Sequence, residues 1–113
     1  MRRFLYFEAD GDGTDCLAVP VDRIAGIDID DATSFKIYFD SISGIDAFTD
    51  DHSGHVAISN VTSGDCKLVI EEIAHAMLNS SDPFIVVLDA QNAQAIHPSM
   101  TANSGSCAIV LDD

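Results

Sequence analysis

Only one stretch of this chain repeats its apolar residues at helical period, and that limits the architecture more than any other feature. In KLVIEEIAHAMLN, Lys67 to Asn79, the residues Ile70, Ile73, Ala74, Met77 and Leu78 fall at i, i+3, i+4, i+7 and i+8 and make one apolar face. Glu71, Glu72, His75 and Asn79 fall on the other side. Asp65 precedes the run and can cap its first free backbone N–H groups. Asn79-Ser80-Ser81-Asp82-Pro83 ends it, because Pro83 disfavours helix at Asp82 and cannot continue one itself. The spacing predicts an amphipathic helix over 66–79. Such a helix is marginal alone in water, so its apolar side must lie on whatever the other segments form.

Those segments read as strands and polar turns. Phe4 to Glu8 is aromatic and strand-like. Asp10-Gly11-Asp12-Gly13-Thr14-Asp15 turns the chain into a second strand, Cys16 to Val19, and Pro20 marks an edge, a bulge or a strand end. Ile27 and Ile29 alternate with Asp28 and Asp30, and Phe35, Ile37 and Phe39 alternate with Lys36, Tyr38 and Asp40. The stretch 24–40 is thus expected to be a hairpin with one wet face. Ser41 to Gly54 reads as an irregular exposed loop. Val56 to Ile58 begins another strand. Phe84 to Leu88 is a continuous apolar run expected at the centre of a sheet, and Cys107 to Leu111 is the last strand. The fold class expected is α+β, mostly β: a strongly bent antiparallel sheet or a small barrel of about six or seven strands with one helix. A parallel sheet would need several crossover helices. No linker divides the chain, so 1–113 is expected to be a single domain.

Nineteen acidic residues against five basic ones give a net charge of −14. A field of that sign repels nucleic acid and anionic lipid at long range and favours solubility. The three cysteines stand far apart with no CxxC, which suggests reduced thiols and a cytoplasmic setting. The apolar run after Arg2-Arg3 stops at Glu8, too short for a signal core, and no segment reaches membrane-spanning length.

Motifs with chemistry are few. Asp10-Gly11-Asp12-Gly13 fails as an EF-hand loop in both registers, because neither ends on the bidentate Glu. His52 and His55, beside Asp51, have the residue types for a divalent metal, but no third ligand is placed and the segment reads as a loop. Glu71 and His75 stand four apart on the polar helix face and read as a surface ion pair. No nucleophile elbow, P-loop or HExxH is present, and no cofactor is expected. Of the basic residues, Arg23 and Lys36 would be repeated around the axis of a cyclic assembly and could line it with positive charge. Tyr38 is an aromatic available for stacking on bases.

Four stretches carry a resemblance: Phe4-Leu5-Tyr6-Phe7, Leu17-Ala18-Val19-Pro20-Val21-Asp22-Arg23-Ile24, the strand Phe35 to Phe39, and the helix ending before Phe84 to Asp89. In these the chain resembles a family of small proteins from marine metagenomes and cyanophage-type phages. The resemblance implies an Sm-like barrel that forms a homo-oligomeric ring and binds single-stranded RNA or DNA. The helix falls late in the chain, whereas the Sm-like fold opens with one. The first expectation is therefore a non-enzymatic ring protein, with Arg23, Lys36 and Tyr38 as nucleic-acid-binding residues and open strand edges joining the copies. Two rivals stand beside it: a structural or accessory virion protein, and a metal-dependent enzyme using His52, His55 and Asp51.

Overall fold

The computed structural model describes residues 3–11, 15–42 and 52–112. The elements run β1 (Phe4–Glu8), β2 (Cys16–Pro20), a 3-10 turn (Val21–Arg23), β3 (Ile24–Asp31), β4 (Ser34–Ile42), β5 (His52–Ile58), α1 (Cys66–Asn79), β6 (Phe84–Asp89), β7 (Gln94–Ala95) and β8 (Cys107–Asp112). The class is α+β, mostly β, with one helix over the expected span. The strands divide between two four-stranded sheets, in the orders β2-β1-β6-β7 and β3-β4-β5-β8.

Alternation decides which side of each strand is buried. Phe35, Ile37 and Phe39 of β4 point into the core, as do Val56 and Ile58 of β5, and they meet Leu5 and Phe7 of β1 and Val19 of β2. The two expected hairpins are present, β1 with β2 and β3 with β4, both antiparallel. Phe84 to Leu88 lies between two neighbours, as a continuous apolar run should. Its pairing with β1 is parallel, however, and Val87 bulges where the register slips between Tyr6 and Phe7. The connection from β1 to β6 carries four strands and the helix, so a single parallel pair forms without extra crossover helices.

The helix has the expected bounds but a rotated face. Cys66, Val69 and Ile73 are buried and Ile70 and Met77 partly so, while Ala74 is exposed and Leu78 is 79% exposed. Counting Cys66 and Val69 into the stripe moves it round the helix, and that side faces β3 and β6. Asp65 holds the N-cap position without bonding the free helical N–H groups; its carboxylate accepts instead from Ser99 Oγ at 2.8 Å. Ile29, expected inside, opposes buried Phe35 but is 47% exposed, because β3 is the edge strand of its sheet and the core does not extend over it.

Candidate functional site

The outer face of the β3-β4-β5-β8 sheet collects three of the residues singled out in the sequence, Lys36, Tyr38 and His55. Register builds it in rows. One row is Gly26, Tyr38, His55 and Val110; the next is Asp28, Lys36, Ala57 and Ala108. Small residues flank the large ones, so the face stays open. Tyr38 and Val110 are 38% and 39% exposed. The Tyr38 and His55 rings meet with centroids 5.4 Å apart at 48°, a tilted contact between directly opposed cross-strand residues. Lys36 Nζ lies 3.4 Å from Asp30 Oδ2. Arg23 is exposed in the 3-10 turn just before β3 and stands apart from these rows.

The metal candidates fare differently. His52 and His55 lie in β5, not in a loop: His52 pairs with Ile42, and His55 pairs with Tyr38 and Val110. A spacing of three suits a helical turn; on a strand, residues of one face are two apart. Asp51 lies outside the described residues. Among the described residues no group of three or more His, Cys, Asp or Glu could hold a metal ion.

Sequence reasoning missed a second constellation, at the carboxyl ends of the parallel pair. Cys16, Glu8, Asp89 and Gln94 form one row across β2, β1, β6 and β7. Glu8 is fully buried and Asp89 nearly so. Glu8 Oε1 accepts from the Gly11 and Gln91 N–H groups at 3.0 and 2.9 Å. Asp89 Oδ1 accepts from the Gln91 and Asn92 N–H groups at 3.0 and 3.2 Å, and its Oδ2 from Asn92 Nδ2 at 2.9 Å. The Gln91 N–H is therefore shared between the two carboxylates. Each acid ends an apolar strand run, which is the one sign of it in the sequence. The row ties the turns after β1 and β6 to the sheet.

Tyr6 stands beside this row. Its phenol is pushed well above the usual range, first by a hydrogen bond with Cys16, then by burial and the nearby carboxylates. Burial, followed by the charges of Asp15 and Glu8, pushes the Cys107 thiol up to about 12. Burial also raises Cys66, helped by Asp31 and Asp65. Thiolate is the reactive form. A thiol reagent added to native protein at mildly alkaline pH is thus expected to titrate exposed Cys16 quickly and leave Cys66 and Cys107 until denaturant is added. Rapid labelling of all three in the native state would contradict the buried placement.

A third cluster joins the helix start to the loop before β8. Ser99 Oγ donates to Asp65, and the Ser99 backbone N–H donates to His97 Nδ1 at 3.1 Å. The hydroxyl proton is directed at the carboxylate, not at the imidazole, so this is not the order of a nucleophile and its base. The cluster holds the loop to the helix.

No helix among the described residues is long and apolar enough to cross a membrane. No family model matches the chain, and no curated protein and no solved structure matches it either.

Proposed function

We propose that this is a non-enzymatic binding protein that associates with copies of itself and binds single-stranded nucleic acid on the outer face of the β3-β4-β5-β8 sheet. The reading rests on one observation above the rest: the Tyr38–His55 ring pair, Tyr38 exposed and His55 half-buried, lies on an open sheet face with Lys36 one row away. Aromatic rings on a sheet are platforms for unstacked bases and tolerate any sequence. Lys36 supplies a cation beside them. The resemblance to the phage-type Sm-like family points the same way.

The acidic surroundings favour a second reading. Asp28, Asp30 and Asp40 are exposed on the same sheet, and Asp30 already pairs with Lys36. A face whose cation is neutralised in this way suits a protein neighbour, as in a virion component. Titrating labelled single-stranded RNA and DNA at low ionic strength separates the two. Under the first reading binding is detectable, weakens with salt, and falls about tenfold or more in Tyr38→Ala, the loss of one stacked base. No binding even at low ionic strength removes nucleic acid as the ligand and leaves the protein-docking reading.

A further inference from the structure

Four strands end the two sheets, and the chain treats them differently. β7 is two residues long. β2 closes on Pro20, which has no N–H to offer. β3 carries exposed Asp28, Asp30 and Asp31 and shifts register near both ends. Short length, proline, charge and bulges are the usual means by which an edge refuses a partner. β8 has none of them between Cys107 and Leu111: no charge, no proline, and an unbroken register against β5.

The direction of the unused backbone groups follows from the ladder. Ser59 N–H donates to Ser106 O at 2.9 Å, so that pair is hydrogen-bonded. Alternation then turns Ala108 and Val110 toward β5 and turns the N–H and C=O groups of Cys107, Ile109 and Leu111 outward. No described residue makes a backbone hydrogen bond to them from that side.

We propose that the β8 edge is a self-pairing surface, joining two copies of this chain antiparallel about a two-fold axis at Ile109. This rests on the self-association reading and specifies its geometry. In that register Ile109 opposes its own copy and Cys107 opposes Leu111 of the second copy. Every outward N–H and C=O of the three residues then finds a partner. On the outer face Ala108 opposes Val110, a small residue against a β-branched one, with no like charges opposed. The same operation on β3, centred on Ile29, would set Asp28 against Asp30. Joining β8 to β3 head to tail would build a ring instead, but it asks the bulged, acidic edge to accept a strand. Pairing at β8 joins the two outer faces into one eight-stranded sheet with two Tyr38–His55 pairs.

Light scattering over a wide protein concentration series tests this, with two variants. Wild type is expected at twice the 12.1 kDa of one chain. In Ala108→Lys/Val110→Lys, lysine opposes lysine across the axis, and the mass is expected to halve. In Ala108→Lys/Val110→Glu opposite charges meet, and the doubled mass is expected to return. A β8-to-β3 ring predicts the reverse for the double-lysine variant, because its lysines would meet aspartates. Hydrogen exchange on wild type reads the same contact without substitution: the Ile109 and Leu111 amides are protected in the pair and exchange fast in a single chain. A larger assembly, or a doubled mass that survives the double lysine with those amides unprotected, overturns the β8 pairing and leaves self-association standing. A single-chain mass at every concentration overturns both.

Discussion

Gly54→Ala is expected to destabilise the fold by about 3 kcal/mol, enough to lower the thermal midpoint by roughly 10–20 °C in a domain of this size. Gly54 lies inside β5, opposite Phe39 on one side and Leu111 on the other. A Cβ built there would run into the Val110 carbonyl oxygen and stand 3.0 Å from Leu111 Cα. Those are backbone atoms of a paired strand, so no side-chain rotation relieves the overlap. Either β8 moves away from β5 or the sheet loses its terminal strand. The ordinary objection, that glycine in a strand is merely less favourable than alanine, predicts the opposite sign.

Gly26 supplies the control. It lies in the same sheet, opposite Tyr38, and an added Cβ there meets nothing within 4 Å. Gly26→Ala is expected to stay within about 0.5 kcal/mol of wild type, or to stabilise slightly by restricting the unfolded chain. Urea unfolding of both variants, read as midpoints at constant slope, makes the comparison. Equal midpoints would mean that β8 does not pass where it is placed. Because β8 is also the proposed pairing edge, Gly54→Ala should weaken self-association as well, and Gly26→Ala should not.

The contrast between these two glycines shows what could and could not be read in advance. Gly26 stands in Ile24-Ala25-Gly26-Ile27, which reads as strand, whereas Gly54 in His52-Ser53-Gly54-His55 reads as loop because the segment lacks β-branched residues. Pairing on both sides makes it strand, since strand preference is set largely by neighbours across the sheet. Elements with their own period were legible: the hairpin from Ile24 to Phe39, the apolar run from Phe84, and the helix bounds. The helix face was legible only in part, because Cys66 and Val69 lie at the start of the run and shift the stripe. Lys36 and Tyr38 were visible as outward residues of one strand. That His55 would stand against Tyr38 depends on the β4–β5 register, which no local pattern encodes. The parallel pairing of β1 with β6 is more remote still, as about 80 residues separate the partners. For that reason two acids at strand ends gave no hint that they would meet.

Glu8→Ala is expected to cost about 3–5 kcal/mol, a large share of the roughly 5–15 kcal/mol that holds a domain together. It leaves the Gly11 N–H without its carboxylate acceptor and the Gln91 N–H with Asp89 alone, and removing the fully buried side chain opens a cavity under the turn after β6. That turn needs the anchor, since Ala93 sits at φ 54, a conformation a non-glycine residue adopts only when its surroundings impose it. Glu8→Gln keeps an acceptor oxygen and the shape, so it should cost about 1–2 kcal/mol. Asp89→Ala should be comparable to Glu8→Ala, and the two should not add. The Gln91 N–H bonds both carboxylates, so its last acceptor disappears only when both are gone, and a double-mutant cycle is expected to show coupling of about 1 kcal/mol. Strict additivity would mean that each acid holds its own loop. The assignment of this row to structure, not to ligand, is decided by the same variants: Glu8→Gln should bind single strands as wild type does, and a folded Glu8→Gln protein that had lost binding would move the carboxylates into the site.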